Sequence, residues 1–343
     1  MWERVVSGAD SQLPQIRELS AGDGVTDLPQ RVLIQEEGPR EGFQIEPKAI
    51  PVADKVRFIE ALAETGLTKI DCVSFVSPQR VPTMADAEEV AAGISKRPGV
   101  AYTGLWLNSR GLDRALTTQL DIIGAIRVTA SEQFSIHNTG MDTAQTSAEQ
   151  RAWLTRYQEA GVPTKWGYVM TAFGCNYQGE VPVTDVCARV AEILALAAEF
   201  EVELDSVFLA DTVGFAGPAA ITRVIGAVRD RWPGLALGLH LHDTRGLGVA
   251  NAYAALRLGV ARFDSTCAGL GGCPFAGHEG AAGNVCSEEL IFLCEELGIE
   301  TAVDLHALIV CARLAESIVG HPLPGKLTRG GSLRAVRERT RSA

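Results

Sequence analysis

The 343-residue sequence lacks the features that mark several large classes of protein. It contains no run of Lys or Arg, and 42 acidic against 31 basic residues give a formal charge of −11. We therefore expect it to bind neither nucleic acid nor an anionic membrane surface. No stretch approaches the roughly 20 apolar residues that a membrane span needs. Residues 1–30 hold no apolar run of signal-peptide length and are too acidic for a transit peptide, which predicts a cytoplasmic protein.

Cysteines at the spacing of a metal or redox motif are also missing. The eight cysteines form no C-x-x-C pair, and most lie inside apolar runs such as 70–75 and 290–297. This usage argues against a disulfide framework or a zinc ribbon. It is typical of buried thiols in a reducing compartment.

What the chain does have is a regular alternation of short β-branched apolar runs with amphipathic stretches. The predicted strands are 32–36, 69–74, 101–107, 122–128, 165–170, 205–210, 235–241 and 262–267. The predicted helices are 53–65, 85–95, 110–118, 147–160, 183–200, 218–231, 247–258 and 285–297. Eight such units predict an α/β fold, a single (β/α)8 TIM barrel with its active site at the C-terminal ends of the strands.

This reading divides the chain into three parts. We expect residues 1–30 to be an N-terminal extension, 31–300 the catalytic barrel, and 301–343 a C-terminal helix and tail that pack on the barrel. No G-x-G-x-x-G follows a predicted strand, which disfavours a pair of dinucleotide-binding domains.

Two histidines stand where the seventh predicted strand ends. His240 and His242 are two residues apart, so on a strand both imidazoles point to the same face. The alternative is a pair of core or rim histidines with backbone partners. Because the chain has only six histidines and these two fall where a barrel presents its ligands, we predict that they bind one metal ion. The divalent cation is expected to be Mg²⁺ or Mn²⁺, with Zn²⁺ as an alternative.

Three further positions suggest chemistry at the same end of the barrel. Arg40 beside Glu41 is either a surface ion pair in a turn or an enolate-neutralising guanidinium next to a metal-binding carboxylate. Cys273 lies in a glycine-rich loop typical of a mobile lid, where a thiol is either a proton donor or acceptor or incidental. Asn284 suits the N-cap of the eighth helix and also an amide-oxygen ligand.

Six segments, taken in order, carry a resemblance to a known family. They are EEGPREGFQ (36–44), DCVSFVSPQRVPTM (71–84), GCNYQGEV (174–181), DTVG (211–214), HLHDT (240–244) and AGLGGCPF (268–275). The series resembles that of the hydroxymethylglutaryl-CoA lyases, within a larger group of TIM-barrel metallolyases and Claisen-type synthases. The resemblance spans residues 31–300.

The resemblance implies a role for each matching residue. Glu41, His240, His242 and Asn284 would bind the metal, Arg40 would stabilise an enolate, and Cys273 would be the thiol of the lid. The substrate end of the pocket would be lined by Glu36, Gln44, Asp71, Ser74, Tyr168 and Asp211. We further expect an acyl-CoA substrate and a homo-oligomer, either a dimer or a tetramer.

Two departures from the family pattern bear on the substrate. The family usually has Asp where this chain has Glu41, and Glu where it has Asp71, so the two carboxylates have exchanged lengths. The stretch between Cys273 and Asn284 is longer than usual and adds His278 and Glu279. Either departure can move substrate preference within one reaction class.

The implied reaction is cleavage of a 3-hydroxyacyl-CoA that bears a distal carboxylate. His240, or Asp71 through water, would remove the hydroxyl proton, and the bond would break to leave the enolate of acetyl-CoA. Hydroxymethylglutaryl-CoA would give acetoacetate, and citramalyl-CoA, the first alternative, would give pyruvate. An acetyl-CoA-dependent Claisen synthase is disfavoured by the short segment after the last barrel helix. A non-catalytic, metal-stabilised binding protein would need none of Arg40, Asp211 and Cys273.

Overall fold

The computed structural model describes residues 28–272 and 283–341 and shows a barrel of parallel strands. The strands are β1 (Leu33–Glu36), β2 (Lys69–Ser74), β3 (Ala101–Leu105), β4 (Gly124–Thr129), β5 (Thr164–Met170), β6 (Ser206–Asp211), β7 (Leu237–Leu241) and β8 (Arg262–Ser265). They are hydrogen-bonded in the order β3-β2-β1-β8-β7-β6-β5-β4. The predicted (β/α)8 barrel is confirmed.

Helices follow the strands and cover the outside of the barrel. They are α1 (Val52–Ala63), α2 (Ala87–Gly93), α3 (Ser109–Leu116), α4 (Glu132–Thr139), α5 (Thr143–Glu159), α6 (Val183–Glu199), α7 (Pro218–Arg231), α8 (Gly248–Leu256), α9 (Ser287–Glu296), α10 (Leu305–Val319), α11 (Leu327–Gly330) and α12 (Leu333–Arg341). Each of the eight predicted helices has a counterpart within a few residues. The short helix α4 was not predicted.

Packing of helix on sheet follows from the spacing of apolar residues. Helix α6 buries Val186, Val190 and Ile193, which are three or four residues apart and therefore share one face. Gly167 of β5 lies beneath that face, and a Cβ there would come within 2.5 Å of the Ile193 side chain. The missing side chain lets α6 approach the barrel wall closely.

The barrel has a seam between β3 and β4, which stand at the two ends of the strand order. In the described part of the chain no backbone ladder joins these two strands. Side chains fill the seam instead: Trp106 Nε1 donates to the Tyr157 hydroxyl at 3.0 Å, and the two rings meet edge to face.

The C-terminal part differs from the single helix and tail that the sequence predicted. Residues 301–341 contain three helices, and α10 packs against α1 and α9. Asp304 caps α10 by accepting from the amides of His306 and Ala307. Of the predicted N-terminal extension, residues 1–27 lie outside the described residues, and the proposed boundaries remain predictions. None of the described helices is long and apolar enough to span a bilayer.

Candidate active site

Two histidines and a glutamate converge at the C-terminal end of the barrel. His240 Nε2 and His242 Nε2 lie 3.2 Å apart. Glu41 Oε1 lies 3.8 Å from the first and 3.3 Å from the second. Both imidazoles are buried, and they share a face because side chains alternate along β7. The structure thus brings three of the four predicted metal ligands, Glu41, His240 and His242, next to one another.

A chain of side chains across the barrel interior orients His240. Its Nδ1 lies 3.1 Å from Asp264 Oδ2 on β8. A carboxylate only accepts, so Nδ1 carries a proton and donates it to Asp264, while Nε2 faces Glu41 and His242. Gln35 donates to Asp264 Oδ1 at 2.8 Å, and Lys69 Nζ donates to Gln35 in turn. A carboxylate behind the distal nitrogen is the usual support of a metal-binding histidine.

Arg40 occupies the centre of a cluster of three carboxylates. Its Nε donates to Asp71 Oδ2 at 2.9 Å, its Nη1 lies 3.1 Å from Glu41 Oε2, and its Nη2 pairs with Glu37. Burial alone would lower the pKa of Arg40, but the charges of Glu41 and Asp71 outweigh burial and raise it. The group is therefore a permanent cation beside the predicted ligands.

Glu41 is held ionised by its neighbours. Burial would raise the pKa of its carboxyl, but Arg40 and the two imidazoles hold the pKa well below its usual range. It lies in a π-helical turn, Gly38–Gly42, that follows β1 directly, and such turns are frequent at functional sites. Arg40 and Glu41 are therefore neighbours in a π-helical turn and not in a regular α-helix.

Asn284 reaches the site through a short segment that pairs with the end of β7. The Asp243 amide donates to Gly283 O at 2.7 Å, and the Val285 amide donates to Leu241 O at 2.8 Å. A Cβ on Gly283 would lie 2.2 Å from the Gly271 carbonyl carbon, so the close approach requires glycine. Helix α9 begins at Ser287 with Cys286 as its N-cap, so Asn284 is not the cap.

The residues present fit a divalent cation. Asn284 is buried, and among the described residues neither its Oδ1 nor its Nδ2 has a hydrogen-bond partner, which is costly unless a ligand supplies one. Donor atoms around one ion are separated by about 3.0 Å in octahedral and about 3.4 Å in tetrahedral geometry at bonds of about 2.1 Å. The separations of 3.2 and 3.3 Å to His242 Nε2 fall in that range.

A second group of possible ligands, Glu37, His240 and Asp264, also lies within 4.8 Å. It is the poorer candidate because its atoms are already engaged. Glu37 pairs with Arg40, and Asp264 accepts from Gln35 while facing the proton-bearing nitrogen of His240. We assign these two carboxylates to orientation and charge balance.

Glu36 does not line the pocket, contrary to the prediction. Its carboxylate is fully buried and accepts from the amides of Gly38 and Cys267 at 2.7 and 2.8 Å and from Ser287 Oγ at 2.6 Å. Burial raises the pKa of Glu36 to about 7, against the opposing effect of these hydrogen bonds. Because strand side chains alternate, Gln35 and Glu37 face the interior and Glu36 faces the helices.

Asp211 is likewise a loop anchor and not a pocket wall. It is fully buried, and its Oδ1 accepts from the amides of Phe215 and Ala216 at 2.7 and 3.1 Å. Burial raises its pKa, and these backbone bonds oppose the rise. The residue fixes the loop between β6 and α7, and its predicted contact with substrate stays a prediction.

Three other predicted pocket residues lie in positions that suit the prediction. Gln44 Oε1 and Ser74 Oγ are buried and have no hydrogen-bond partner among the described residues. Tyr168 stacks on Phe208 with centroids 4.8 Å apart, and burial together with the charge of Asp264 raises its pKa well above the usual value. These placements are compatible with substrate contact, which remains a prediction.

Cys273 lies outside the described residues, as do His278 and Glu279, so the predicted lid thiol cannot be placed. Conversely, four interior residues were missed in the sequence: Gln35, Glu37, Lys69 and Asp264. The sequence did indicate Asp264 and Glu37. Each stands near the end of a predicted strand, on the face of the strand that points into the barrel. Lys69 begins its strand and gave no such signal.

Comparison with known proteins settles the family. Residues 31–315 match the model of a family described as HMGL-like. The chain belongs to the HMGL-like family. A Pseudomonas aeruginosa protein named 3-hydroxy-3-isohexenylglutaryl-CoA/hydroxy-methylglutaryl-CoA lyase is 41% identical over 85% of this chain and 95% of its own length. Hydroxymethylglutaryl-CoA lyase YngG of Bacillus subtilis is 37% identical over 87% and 96%.

A solved structure extends the likeness to three dimensions. An HMG-CoA lyase from Acinetobacter baumannii, in complex with coenzyme A and 3-methylmalate, has a TM-score of 0.79 and 36% identity, covering 88% of this HMGL-like chain and 96% of its own. These relatives confirm the predicted family and the predicted enzyme class, a carbon–carbon lyase.

Proposed function

We propose that this HMGL-like protein cleaves hydroxymethylglutaryl-CoA to acetyl-CoA and acetoacetate in a reaction that depends on a divalent metal. The observation that carries the proposal is the convergence of Glu41, His240 and His242 with the Arg40 guanidinium 3.1 Å from Glu41. A ligand set next to a fixed cation is what cleavage to an enolate requires. The names of the relatives support the same substrate class.

Glu41, His240, His242 and Asn284 would hold the cation. When bound, it makes the substrate's tertiary hydroxyl more acidic. Both nitrogens of His240 are already used in holding the cation, because Nδ1 faces Asp264 and Nε2 faces the position of the metal. His240 is therefore the weaker of the two candidates for proton removal.

Asp71 is the stronger candidate for the proton acceptor. Its Oδ2 accepts from Arg40 Nε at 2.9 Å and its Oδ1 from Thr103 Oγ1 at 3.2 Å, which fixes the carboxylate while leaving lone pairs for a substrate proton or a water. It is nearly buried, at 9% exposure, so a proton that it takes is not exchanged at once with bulk solvent. The proton moves from the hydroxyl to this carboxylate, directly or through one water.

Arg40 would stabilise the charge that cleavage creates. As the hydroxyl becomes a ketone, the electron pair of the broken carbon–carbon bond passes to the thioester, forming the enolate of acetyl-CoA. A guanidinium has five N–H donors, and Arg40 uses three nitrogens towards Asp71, Glu41 and Glu37. The remaining N–H groups of Nη1 and Nη2 can donate to the enolate oxygen. Protonation of the enolate carbon, assigned to Cys273 by the resemblance, completes the reaction.

The test is a paired substrate assay. Chain stripped of metal with EDTA receives Mg²⁺, Mn²⁺ or Zn²⁺ and then hydroxymethylglutaryl-CoA or citramalyl-CoA in parallel. Acetyl-CoA, acetoacetate and pyruvate are followed by chromatography and mass spectrometry. We expect equal amounts of acetyl-CoA and acetoacetate from the first substrate. Absence of cleavage of both substrates with all three metals would overturn the proposal.

A second candidate, cleavage of citramalyl-CoA, is favoured by one observation. Arg40 contacts both exchanged carboxylates, Glu41 and Asp71, so the exchange changes the spacing at the centre of the site. Production of pyruvate in the same assay would support it. A cytoplasmic location and a dimeric or tetrameric state complete the proposal, and fractionation and light scattering test them.

A further inference from the structure

The loop that follows β8, residues 267–271, lies directly behind two of the predicted metal ligands. A Cβ on Gly271 would lie 3.7 Å from Glu41 Cγ and 3.4 Å from the side-chain amide of Asn284, so both ligands border this glycine. A Cβ on the glycine that follows Glu41 would come within 2.7 Å of the Leu270 Cβ. The path of this β8 loop therefore sets how Glu41 and Asn284 stand relative to each other.

The backbone of the β8 loop is held in a strained conformation. Ala268 has φ 61° and ψ 9°, in the left-handed region that a residue with a Cβ rarely adopts. Such a conformation persists only where the surrounding contacts impose it, and it is found most often at functional sites. Because Ala268 is completely buried, protein contacts and not solvent hold it there.

Two hydrogen bonds hold Ala268, one on each side of its backbone. Its amide donates to Glu288 Oε2 at 2.8 Å, and its carbonyl accepts from the Gly325 amide at 2.9 Å. Glu288 lies in the first turn of α9, whereas Gly325 lies between α10 and α11, outside the eight units of the barrel. The C-terminal part of the chain thus reaches the loop behind the ligands.

The segment that makes this contact, residues 323–326, is here called the C-terminal clamp. A Cβ on Gly325 would lie 3.0 Å from three backbone atoms of Ala268, which is closer than an ordinary van der Waals contact. Beside it, Pro324 Cγ would lie 3.0 Å from a Cβ on Gly269. The clamp and the β8 loop therefore touch backbone to backbone, and a side chain on Gly325 would push them apart.

Both ends of the C-terminal clamp are anchored to helices. The Leu323 amide donates to Glu316 Oε1 of α10 at 2.9 Å. The Lys326 amide donates to Glu289 Oε1 of α9 at 2.8 Å, and Lys326 Nζ pairs with the same carboxylate at 3.0 Å. The two helices thus fix the clamp from both sides, so that it can transmit a constraint to the loop that it touches.

We propose that Gly325 is a positioning residue of the candidate metal centre. Its contact with Ala268 fixes the β8 loop, and the β8 loop holds Glu41 and Asn284 at the spacing that a cation needs. Gly325 acts through this loop and not by a contact with the cation. The inference rests on the proposed function, because it assumes that these two side chains bind a divalent metal. It gives the C-terminal clamp a part in the site.

The experiment adds a side chain of graded size to the clamp, in Gly325→Ala and Gly325→Val. Gly330→Val is the matched control, since Gly330 is exposed and a Cβ there would have nothing within 4 Å. Calorimetric titration of metal-free protein with Mn²⁺ measures Kd. Urea unfolding measures stability, and hydrogen exchange followed by mass spectrometry measures local opening of the β8 loop.

Gly325→Val should raise the Kd for Mn²⁺ about 10- to 100-fold, the range found when the support behind metal ligands is lost. Gly325→Ala should raise it less, and Gly330→Val should leave it unchanged. A merely structural role of Gly325 would lower the free energy of unfolding without changing Kd in the folded protein. A folded Gly325→Val protein with a Kd within about twofold of wild type overturns the inference.

If Gly325→Val does not fold, Gly325→Ala decides the question. Faster exchange in its β8 loop together with a raised Kd supports the inference, and a Kd equal to that of the wild type overturns it.

Failure of the proposed function is distinguishable from failure of the clamp. A wild-type chain that binds Mn²⁺ but cleaves neither hydroxymethylglutaryl-CoA nor citramalyl-CoA contradicts the proposed function alone. If the wild type binds no divalent metal, the proposed function fails, and hydrogen exchange then tests the clamp by itself. Amides of residues 266–271 and 283–286 should exchange faster in Gly325→Val than in wild type or Gly330→Val. Equal exchange in all three proteins overturns the inference.

Discussion

Arg40 Nε donates to Asp71 Oδ2 at 2.9 Å, and this bond joins the end of β1 to the end of β2 at the centre of the candidate site. Removing the guanidinium removes both that link and the cation that faces the developing enolate. We expect Arg40→Gln to lower kcat by about 10²–10⁴, because loss of one transition-state donor costs about 10²–10³ and the positive charge is lost as well. Steady-state kinetics with saturating metal measure this.

Arg40→Lys should restore little, because an ammonium cannot contact Asp71, Glu41 and Glu37 in one plane. Arg97→Gln, which removes an exposed arginine paired with Glu64, is the control and should keep wild-type kcat. A kcat within about threefold of wild type in Arg40→Gln would show that the enolate is stabilised elsewhere.

The second prediction concerns metal binding. His242→Ala removes the nitrogen that lies within 3.2–3.3 Å of both other donors, so the protein should lose bound metal as well as activity. Metal content after dialysis, by mass spectrometry, and calorimetric titration of metal-free protein measure the loss directly. His321→Ala, at an exposed histidine that contacts Glu46, should leave metal content unchanged. A metal-free His242→Ala protein with full activity would contradict the assignment.

How much of this arrangement could be predicted from the sequence depends on the residue. The strands were predicted because each is a short run of apolar, β-branched residues. The observed limits of β2 and α7 are the same as the predicted ones. His240 and His242 could be paired because a strand has a period of two. Helix α4 was missed because its sequence, EQFSIHNT, has little apolar periodicity.

The errors have one physical source. Glu36 and Asp211 were assigned to the pocket by the resemblance, which matches them at strand ends, but both face the helix layer and accept backbone amides there. Position along a strand can be read from the sequence, whereas the direction of a side chain depends on which face is inside. The contact of Lys69 with Trp166 joins β2 to β5 across the barrel, and no local pattern records a contact over that separation.

The third prediction tests the orientation of His240. Asp264 accepts on both oxygens, from Gln35 and from His240, whereas an asparagine offers one acceptor and one donor. Asp264→Asn must therefore disturb one of the two partners. We expect metal affinity to fall about 10- to 100-fold, as for other carboxylates behind a ligating histidine. Calorimetric titration of metal-free protein measures it.

Asp86→Asn is the matched control, since Asp86 pairs with the buried Lys55 outside the site. It should reduce the free energy of unfolding and leave metal affinity unchanged. If Asp264→Asn also leaves affinity unchanged, the chain from Lys69 to His240 has no part in metal binding.

The fourth prediction concerns the pH dependence of stability. The pKa of Glu36 is raised from 4.5 to about 7 in the folded protein. A raised folded pKa means that its stabilising contribution is complete below pH 4.5 and is lost as the pH rises through 7. In Glu36→Gln this loss is absent, because the amide keeps the oxygen that accepts from Gly38 and Cys267 and never ionises.

Between pH 5 and 8 the free energy of unfolding of the wild type should therefore fall relative to that of Glu36→Gln, by up to about 3 kcal/mol for a shift of this size. Urea titrations of metal-free protein at each pH measure the difference. Glu159→Gln, at the exposed end of α5, should show no such relative change. A difference between wild type and Glu36→Gln that is the same at pH 5 and pH 8 would falsify the assignment.

The last prediction addresses the exchanged carboxylates. Arg40 contacts Glu41 through Nη1 at 3.1 Å and Asp71 through Nε at 2.9 Å, so both exchanged carboxylates meet on one guanidinium. The side chain of Glu41 is one methylene longer than the usual Asp and that of Asp71 one methylene shorter than the usual Glu, so the exchange would move the ligand position away from β1 if the backbone does not shift. One methylene is also the difference in length between hydroxymethylglutaryl-CoA and citramalyl-CoA. The double change Glu41→Asp with Asp71→Glu should therefore move the ratio of kcat/KM values towards hydroxymethylglutaryl-CoA. Since one methylene is worth about 1–3 kcal/mol, the shift should be about 5- to 150-fold.

The two single variants are the controls, because each breaks the matched spacing around Arg40 and should lower kcat/KM for both substrates. An unchanged ratio in the double variant would mean that the backbone absorbs the exchange, and that other residues set the choice of acyl group.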